Sequence, residues 1–133
     1  MMAHVLDFLH VETFRYTIPG HGTLIWNVSA AKDAIAAGQV LTRVPIAREQ
    51  MAGIVAKNEY EEARVAMVDP SRPGIGAPFL WEGRVEYLLI DGTHRCVKAY
   101  RMGVPFEVDL LTDEAAKACL IVWPLGLMAW DAR

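Results

Sequence analysis

Apolar and polar residues alternate along Phe14 to Thr17, and Thr23 to Val28 is a short, mostly apolar run, so both read as short strands. Pro19-Gly20-His21-Gly22 separates the two runs and supplies turn residues, so the pair reads as a hairpin. Ser29 is placed to cap a helix over Ala30 to Ala37, and Gly38 to end it. Val40 to Ile46 reads as a strand whose Pro45 puts its end at a sheet edge. Over Arg48 to Lys57 the spacing becomes helical, with Met51, Ile54 and Val55 on one face. Asn58 to Glu62 is polar and available to extend that helix. Arg64 to Val68 has the character of a short strand. Asp69 to Pro78 holds three prolines and two glycines and reads as a loop, of the kind that often carries function.

The second half is more sharply punctuated. Arg84 to Ile90 is the clearest strand and ends in the continuous apolar run of a buried sheet. Thr93 to Met102 is helical, with Gly103 as its stop and Pro105 just beyond. Phe106 to Leu111 alternates apolar with acidic residues, as a half-buried strand does. Thr112 caps a last helix from Asp113 to about Ile121, whose acidic first turn suits the helix dipole. Short mixed elements with no linker imply one α+β domain, a small mixed sheet with helices packed on it. Residues 1–39 form a hairpin and helix, 40–121 the core, and 122–133 an apolar tail.

Composition narrows the class. A chain of 133 residues is long enough to bury a core without disulfides. With 53% apolar and 22% charged residues it is globular rather than disordered. The net charge of −3, from 13 basic and 16 acidic residues, lacks the basic excess of a general nucleic-acid binder. DNA therefore stays open as a partner only through a local patch. Mean hydropathy is +0.21, which hints at a protein-docking surface. The tail from Leu120 to Trp130, with Trp123, Met128 and Trp130, is the place for one, or else packs at the edge of the core. Cys96 and Cys119 lack metal-ligand spacing, and free thiols fit a reducing cytoplasm. The first residues carry no basic run, so they do not read as a signal peptide. The apolar run from Cys119 to Trp130 is broken by Pro124 and Gly126 and is too short to span a bilayer.

The candidate chemistry gathers at Asp91-Gly92-Thr93-His94-Arg95. A strand delivers the chain to a tight turn where Gly92 permits close approach and positive φ. Thr93 stands where a helix cap belongs, and the first helical turn offers unpaired N–H groups to an anion, most often phosphate. Arg95 adds a planar fork suited to phosphate oxygens, and His94 a donor that exchanges protons near neutral pH. Asp91 has three available tasks: holding Arg95, binding a Mg²⁺ that bridges to phosphate, or acting as general base. A plain alternative fits the same residues, with Asp91-Gly92 an ordinary turn, Thr93 an ordinary cap and Arg95 paired to Asp91. Arg72 is either a second phosphate arm or a solvated loop charge. His21, in a Gly-flanked turn, either reaches toward a ligand or belongs to a plain surface turn, and His4 and His10 show no ligand spacing. No Walker loop, Gly-x-Ser-x-Gly or His-Glu-x-x-His is present.

The stretch LLIDGTHRCVKAYRMGVPFEVDLLT resembles the signature region of the ParB/sulfiredoxin superfamily. Its members show a strand, an acidic or small residue, Gly, one or two variable residues, Arg, an Ala-rich helix, Gly and another strand. Ile90, Asp91, Gly92, Arg95, Ala99, Tyr100 and Gly103 match in that order. Val44 to Ile46 and the helix from Arg48 fit upstream. The resemblance spans Val40 to Ile121, and its specific part is Arg84 to Leu111. It implies that Gly92, Thr93, His94 and Arg95 cradle the phosphate of a nucleotide (ATP, ADP or CTP, with Mg²⁺ as a companion). It also implies that Asp91 and His94 take catalytic roles in phosphoryl transfer or hydrolysis. Two departures limit it. Sulfiredoxins carry a reactive Cys where Thr93 stands, and Cys96 points into the helix, which argues against sulfinic-acid reduction. The partitioning clamps add a helical DNA-binding domain, for which the residues after the last helix leave no room. The remaining expectations are a nucleotide- or phosphoester-binding domain, a non-catalytic accessory or inhibitor of the plasmid or phage kind that docks a protein partner, and a metal-dependent nuclease.

Overall fold

The computed structural model describes residues 11–122 and shows a mixed α+β domain built on two small sheets. The first sheet grows from the hairpin. β1 (Thr13–Ile18) and β2 (Gly22–Asn27) pair antiparallel from Thr13 opposite Asn27 to Ile18 opposite Gly22. β7 (Leu120–Val122) adds to the other side of β2, giving the order β1-β2-β7. Leu24 and Trp26 alternate inward along β2 and are fully buried.

The second sheet has the order β3-β6-β4-β5. β3 (Val40–Pro45) is its outer strand, as Pro45 requires, and pairs antiparallel with β6 (Glu107–Leu111). β4 (Gly74–Trp81) runs parallel to β6 and antiparallel to β5 (Arg84–Asp91). One face of this sheet, with Ile75, Ala77, Ile90 and Leu111, packs on the hairpin, on α1 (Val28–Ala36) and on α5 (Asp113–Cys119). The opposite face, with Leu89, Val108 and Leu110, packs on Met51 of α2 (Arg48–Lys57) and on Cys96 and Ala99 of α4 (Thr93–Met102). Between α2 and β4 lies α3 (Glu62–Met67), which buries Val65 alone.

Several elements differ from the sequence expectation. Of the expected strand Arg64 to Val68, all but Val68 is helical, because the chain turns back over α4 instead of joining a sheet. The Pro- and Gly-rich stretch is a loop only as far as Pro73. From Gly74 onward it is the most buried strand, where Ile75, Ala77, Pro78 and Phe79 lose almost all exposure. Its glycines have a packing reason, since a Cβ on Gly76 would meet the Leu110 side chain at 2.8 Å. Pro78 is tolerated because only Gly74, Ile75 and Gly76 pair with β6. Conversely, Arg84 to Ile90 proves to be an outer strand that buries only Ile90, and its apolar run reflects packing at the sheet rim.

Capping also moves by a residue or two. The Asn27 side chain accepts from the Ala30 N–H and caps α1, while the Ser29 hydroxyl takes the Glu12 N–H instead. Asn58 ends α2 rather than extending it, and its side-chain amide donates to the Ile54 carbonyl. Thr112 caps α5 as expected, though α5 stops at Cys119 because Leu120 joins β7. The tail residues Trp123, Met128 and Trp130, and His4 and His10, lie outside the described residues. No described helix is long and apolar enough to cross a membrane.

Candidate functional site

β5 ends at Asp91, and Gly92 turns the chain into α4 with φ 105°. Gly92, not Thr93, is therefore the cap residue, and no side chain caps this end. The first helical hydrogen bond runs from the Cys96 N–H to the Gly92 carbonyl. The N–H groups of Thr93, His94 and Arg95 precede it in the turn, at the positive end of the helix dipole. Glycine is needed here twice over. The left-handed φ is one reason, and the other is that a Cβ would come within 2.9 Å of the Gly74 Cα.

Arg95 folds back over the turn. Its Nη2 donates to Asp91 Oδ2 at 2.7 Å and its Nη1 to the Pro73 carbonyl at 2.6 Å. Both side chains are largely buried, at 13% and 15% exposure, so this is a sheltered charge-assisted pair rather than a surface one. In this state Asp91 holds Arg95, one of the three tasks its position allowed.

Sheet register extends the site sideways. Ile75 lies opposite Asp91 on one side and opposite Asp109 on the other, and Asp109 lies opposite Arg43. Residues facing each other across neighbouring strands point to the same face. Arg43, Asp109, Ile75 and Asp91 thus form one transverse row. Asp109 is 4% exposed and receives a two-pronged bond from Arg43, Nε to Oδ1 at 2.7 Å and Nη2 to Oδ2 at 3.1 Å. Two carboxylates, each held by its own arginine, flank one buried isoleucine.

Ile75, Asp91 and Asp109 of this row floor a cavity of about 640 Å³. Gly92, His94 and Arg95 form one wall. Ile35 and Ala36 of α1 form the facing wall, beside the Lys32–Glu12 ion pair of 2.6 Å. Arg64 and Met67 of α3, with Asp69 and Arg72 of the following loop, close it. Arg64 and Arg72 make no ion pair or side-chain hydrogen bond with any described residue. Asp69 takes the Ser71 N–H and hydroxyl, which hold its carboxyl below its usual range. Once the pairs are set aside, the cavity presents a helix N-terminus, Arg64, and an Arg72 whose charge acts on the nearby Asp69 without a direct pair.

His94 lines the cavity, and its Nε2 accepts the Glu61 backbone N–H at 3.1 Å. That bond requires the neutral ring with its proton on Nδ1. Burial, reinforced by Arg64 and opposed by Glu61, pushes the imidazole below its ordinary value of 6.5.

Four residues of the expected turn, Asp91, Gly92, His94 and Arg95, therefore meet at one cavity and Arg72 joins them, whereas the Thr93 side chain is not part of its lining. His21 does not; its ring stands edge-on to Trp81 at 4.7 Å. Cys96 is fully buried beneath α4, and burial pushes its thiol up to about 11. Sequence reasoning missed Arg43, Asp109 and Arg64. The signal for Asp109 was an acidic residue inside an otherwise buried run, and its arginine partner depends on a pairing 66 residues apart. Among the described residues no three His, Cys, Asp or Glu side chains group to hold a metal ion. A Mg²⁺ at Asp91 would thus draw its other ligands from phosphate and water. Comparison of the chain with protein-family models, with curated proteins and with solved structures finds no match.

Proposed function

We propose that this protein binds a small phosphate-bearing molecule, a nucleotide or related phosphoester, in the cavity at the start of α4. The carrying observation is the coincidence of an uncapped helix N-terminus with Arg64 and Arg72, which make no direct ion pair or side-chain hydrogen bond among the described residues, around one cavity of about 640 Å³, with Asp69 near Arg72 the one described carboxylate that acts on either of them. Backbone N–H groups and a helix dipole favour phosphate over water at such an end, and guanidinium forks complete its coordination. The volume lies in the range of small-molecule sites.

Each carboxylate of the floor is already neutralised by an arginine, so the floor does not repel an incoming phosphate as free acids would. Binding is the reading this arrangement supports. Phosphoryl transfer or hydrolysis would further require Asp91 to be released from Arg95, for instance when a ligand phosphate takes over the guanidinium. Phosphoryl chemistry otherwise needs little beyond position and charge.

The test is calorimetric titration of ATP, ADP, CTP and a short DNA duplex, with and without Mg²⁺, into wild type and the double variant Arg64→Ala/Arg72→Ala. Both arginines are exposed, so the variant keeps its fold. Saturable binding of at least one phosphoester is expected, weakened about tenfold or more in the variant, or about 1.4 kcal/mol. No saturable binding, or equal binding by both proteins, overturns the reading.

A further inference from the structure

The cavity is closed by an element that is barely part of the core. α3 buries Val65 alone, and its Met67 is 86% exposed. It is held by a polar seam along one side of α4. His94, Lys98 and Arg101 follow at the four- and three-residue spacings that share a helix face. His94 Nε2 accepts the N–H of Glu61, the residue at the N-cap of α3. Lys98 Nζ donates to the Ala66 and Val68 carbonyls, each at 2.9 Å, and so fastens the other end. Arg101 pairs with Glu62 at 2.6 Å and lies over the Tyr60 ring.

We propose that α3 is a lid over the cavity and that His94 is its proton-operated latch, closed by the neutral imidazole and released by the imidazolium. As the regulation of a phosphoester site this rests on the reading above, but the latch itself does not depend on a ligand. Of the three fastenings, His94 carries the side chain whose ordinary value, 6.5, lies nearest neutrality, and burial lowers it from there. Arg101 holds Glu62 below its usual carboxylate range, and the same pairing raises the guanidinium above its own ordinary value. Protonation removes the acceptor that the Glu61 N–H uses and sets donor against donor.

The surrounding charges act in both directions. Arg64 on the lid repels the imidazolium, and the Glu61 carboxylate opposes that. Lys98 lies one turn along α4, and Asp91 and Arg95 close on each other. Asp69 and Arg72 face the same cavity from the loop. Burial and Arg64 prevail, which keeps the ring neutral and the latch shut at neutral pH. The sign follows from linkage. The folded pKa is lowered, so the latch's contribution is full above the unfolded value near 6.5 and is lost as pH falls through the folded value. Opening carries Arg64 away from the helix N-terminus and exposes the cavity.

The experiment is residue-resolved amide hydrogen exchange on the full chain at pH 7.5 and pH 5, corrected for intrinsic rates. In wild type the Glu61 amide should lose about tenfold or more of its protection at pH 5, while the amides of α4 keep theirs. His94→Gln supplies a side-chain acceptor that does not titrate, so its Glu61 protection should be present at both pH values. His94→Ala should lack it at both. Protection in wild type that is independent of pH, or a His94→Gln profile that follows wild type, overturns the latch. If a variant fails to fold, the wild-type Glu61 amide shift decides: it should titrate with the His94 ring, and a flat Glu61 shift across that titration is equally fatal. No ligand enters these readings, so their failure is distinct from failure of the ATP titration.

Discussion

Gly74 and Gly92 meet backbone to backbone, where the start of β4 crosses the turn from β5 into α4: a Cβ on Gly92 would sit 2.9 Å from the Gly74 Cα. This contact draws the Pro73 carbonyl within reach of Arg95 and brings the loop bearing Arg72 to the helix N-terminus.

Alanine at Gly92 meets two costs, the left-handed φ of 105° and a backbone neighbour that cannot rotate away. Gly103 provides the control, because its φ is 70° but nothing lies within 4 Å of its Cβ position. Gly103→Ala should cost about 1 kcal/mol, and Gly92→Ala about 3 kcal/mol, in urea unfolding. Equal losses would mean that the Gly74 contact contributes nothing.

Asp109 is buried and depends on Arg43 for its charge partner. Arg43→Ala should lower the denaturant midpoint with unchanged slope, since it strands a carboxylate that the sheet cannot hydrate. In an Asp109→Asn background, where no charge is stranded, the same Arg43→Ala change should cost clearly less. A double-mutant cycle measures the difference, and additive effects would refute the coupling.

Both thiols should be inert in the folded protein. Cys96 is fully buried with its thiol pushed up to about 11, and burial likewise raises that of Cys119. The raised values leave little thiolate, the reactive form, at neutral pH. A maleimide at pH 7.5 should label neither residue until denaturant is added. Rapid labelling of Cys96 in the native protein would show that the core beneath α4 opens.

The elements legible in the sequence were those whose cause is local. Turn residues fixed the hairpin, helical spacing fixed Arg48 to Lys57, and a strand, a glycine and a glycine stop fixed Thr93 to Met102. The same local signals placed Asp91 to Arg95 at a strand-to-helix turn, where a helix N-terminus follows from backbone geometry alone. Tertiary structure decided the rest. β4 is a strand because β5 and β6 supply partners that its prolines and glycines do not advertise, and its glycines suit close neighbours rather than a turn. α3 is helical although its residues suit a strand equally well, and polar groups of α4 fasten it in place. Asp91 and Asp109 share a row because register, a long-range property, aligns both with Ile75. Local chemistry thus determined where an anion-binding turn stands. Only the meeting of distant segments decided that it opens into a cavity, with Arg95 already committed to Asp91.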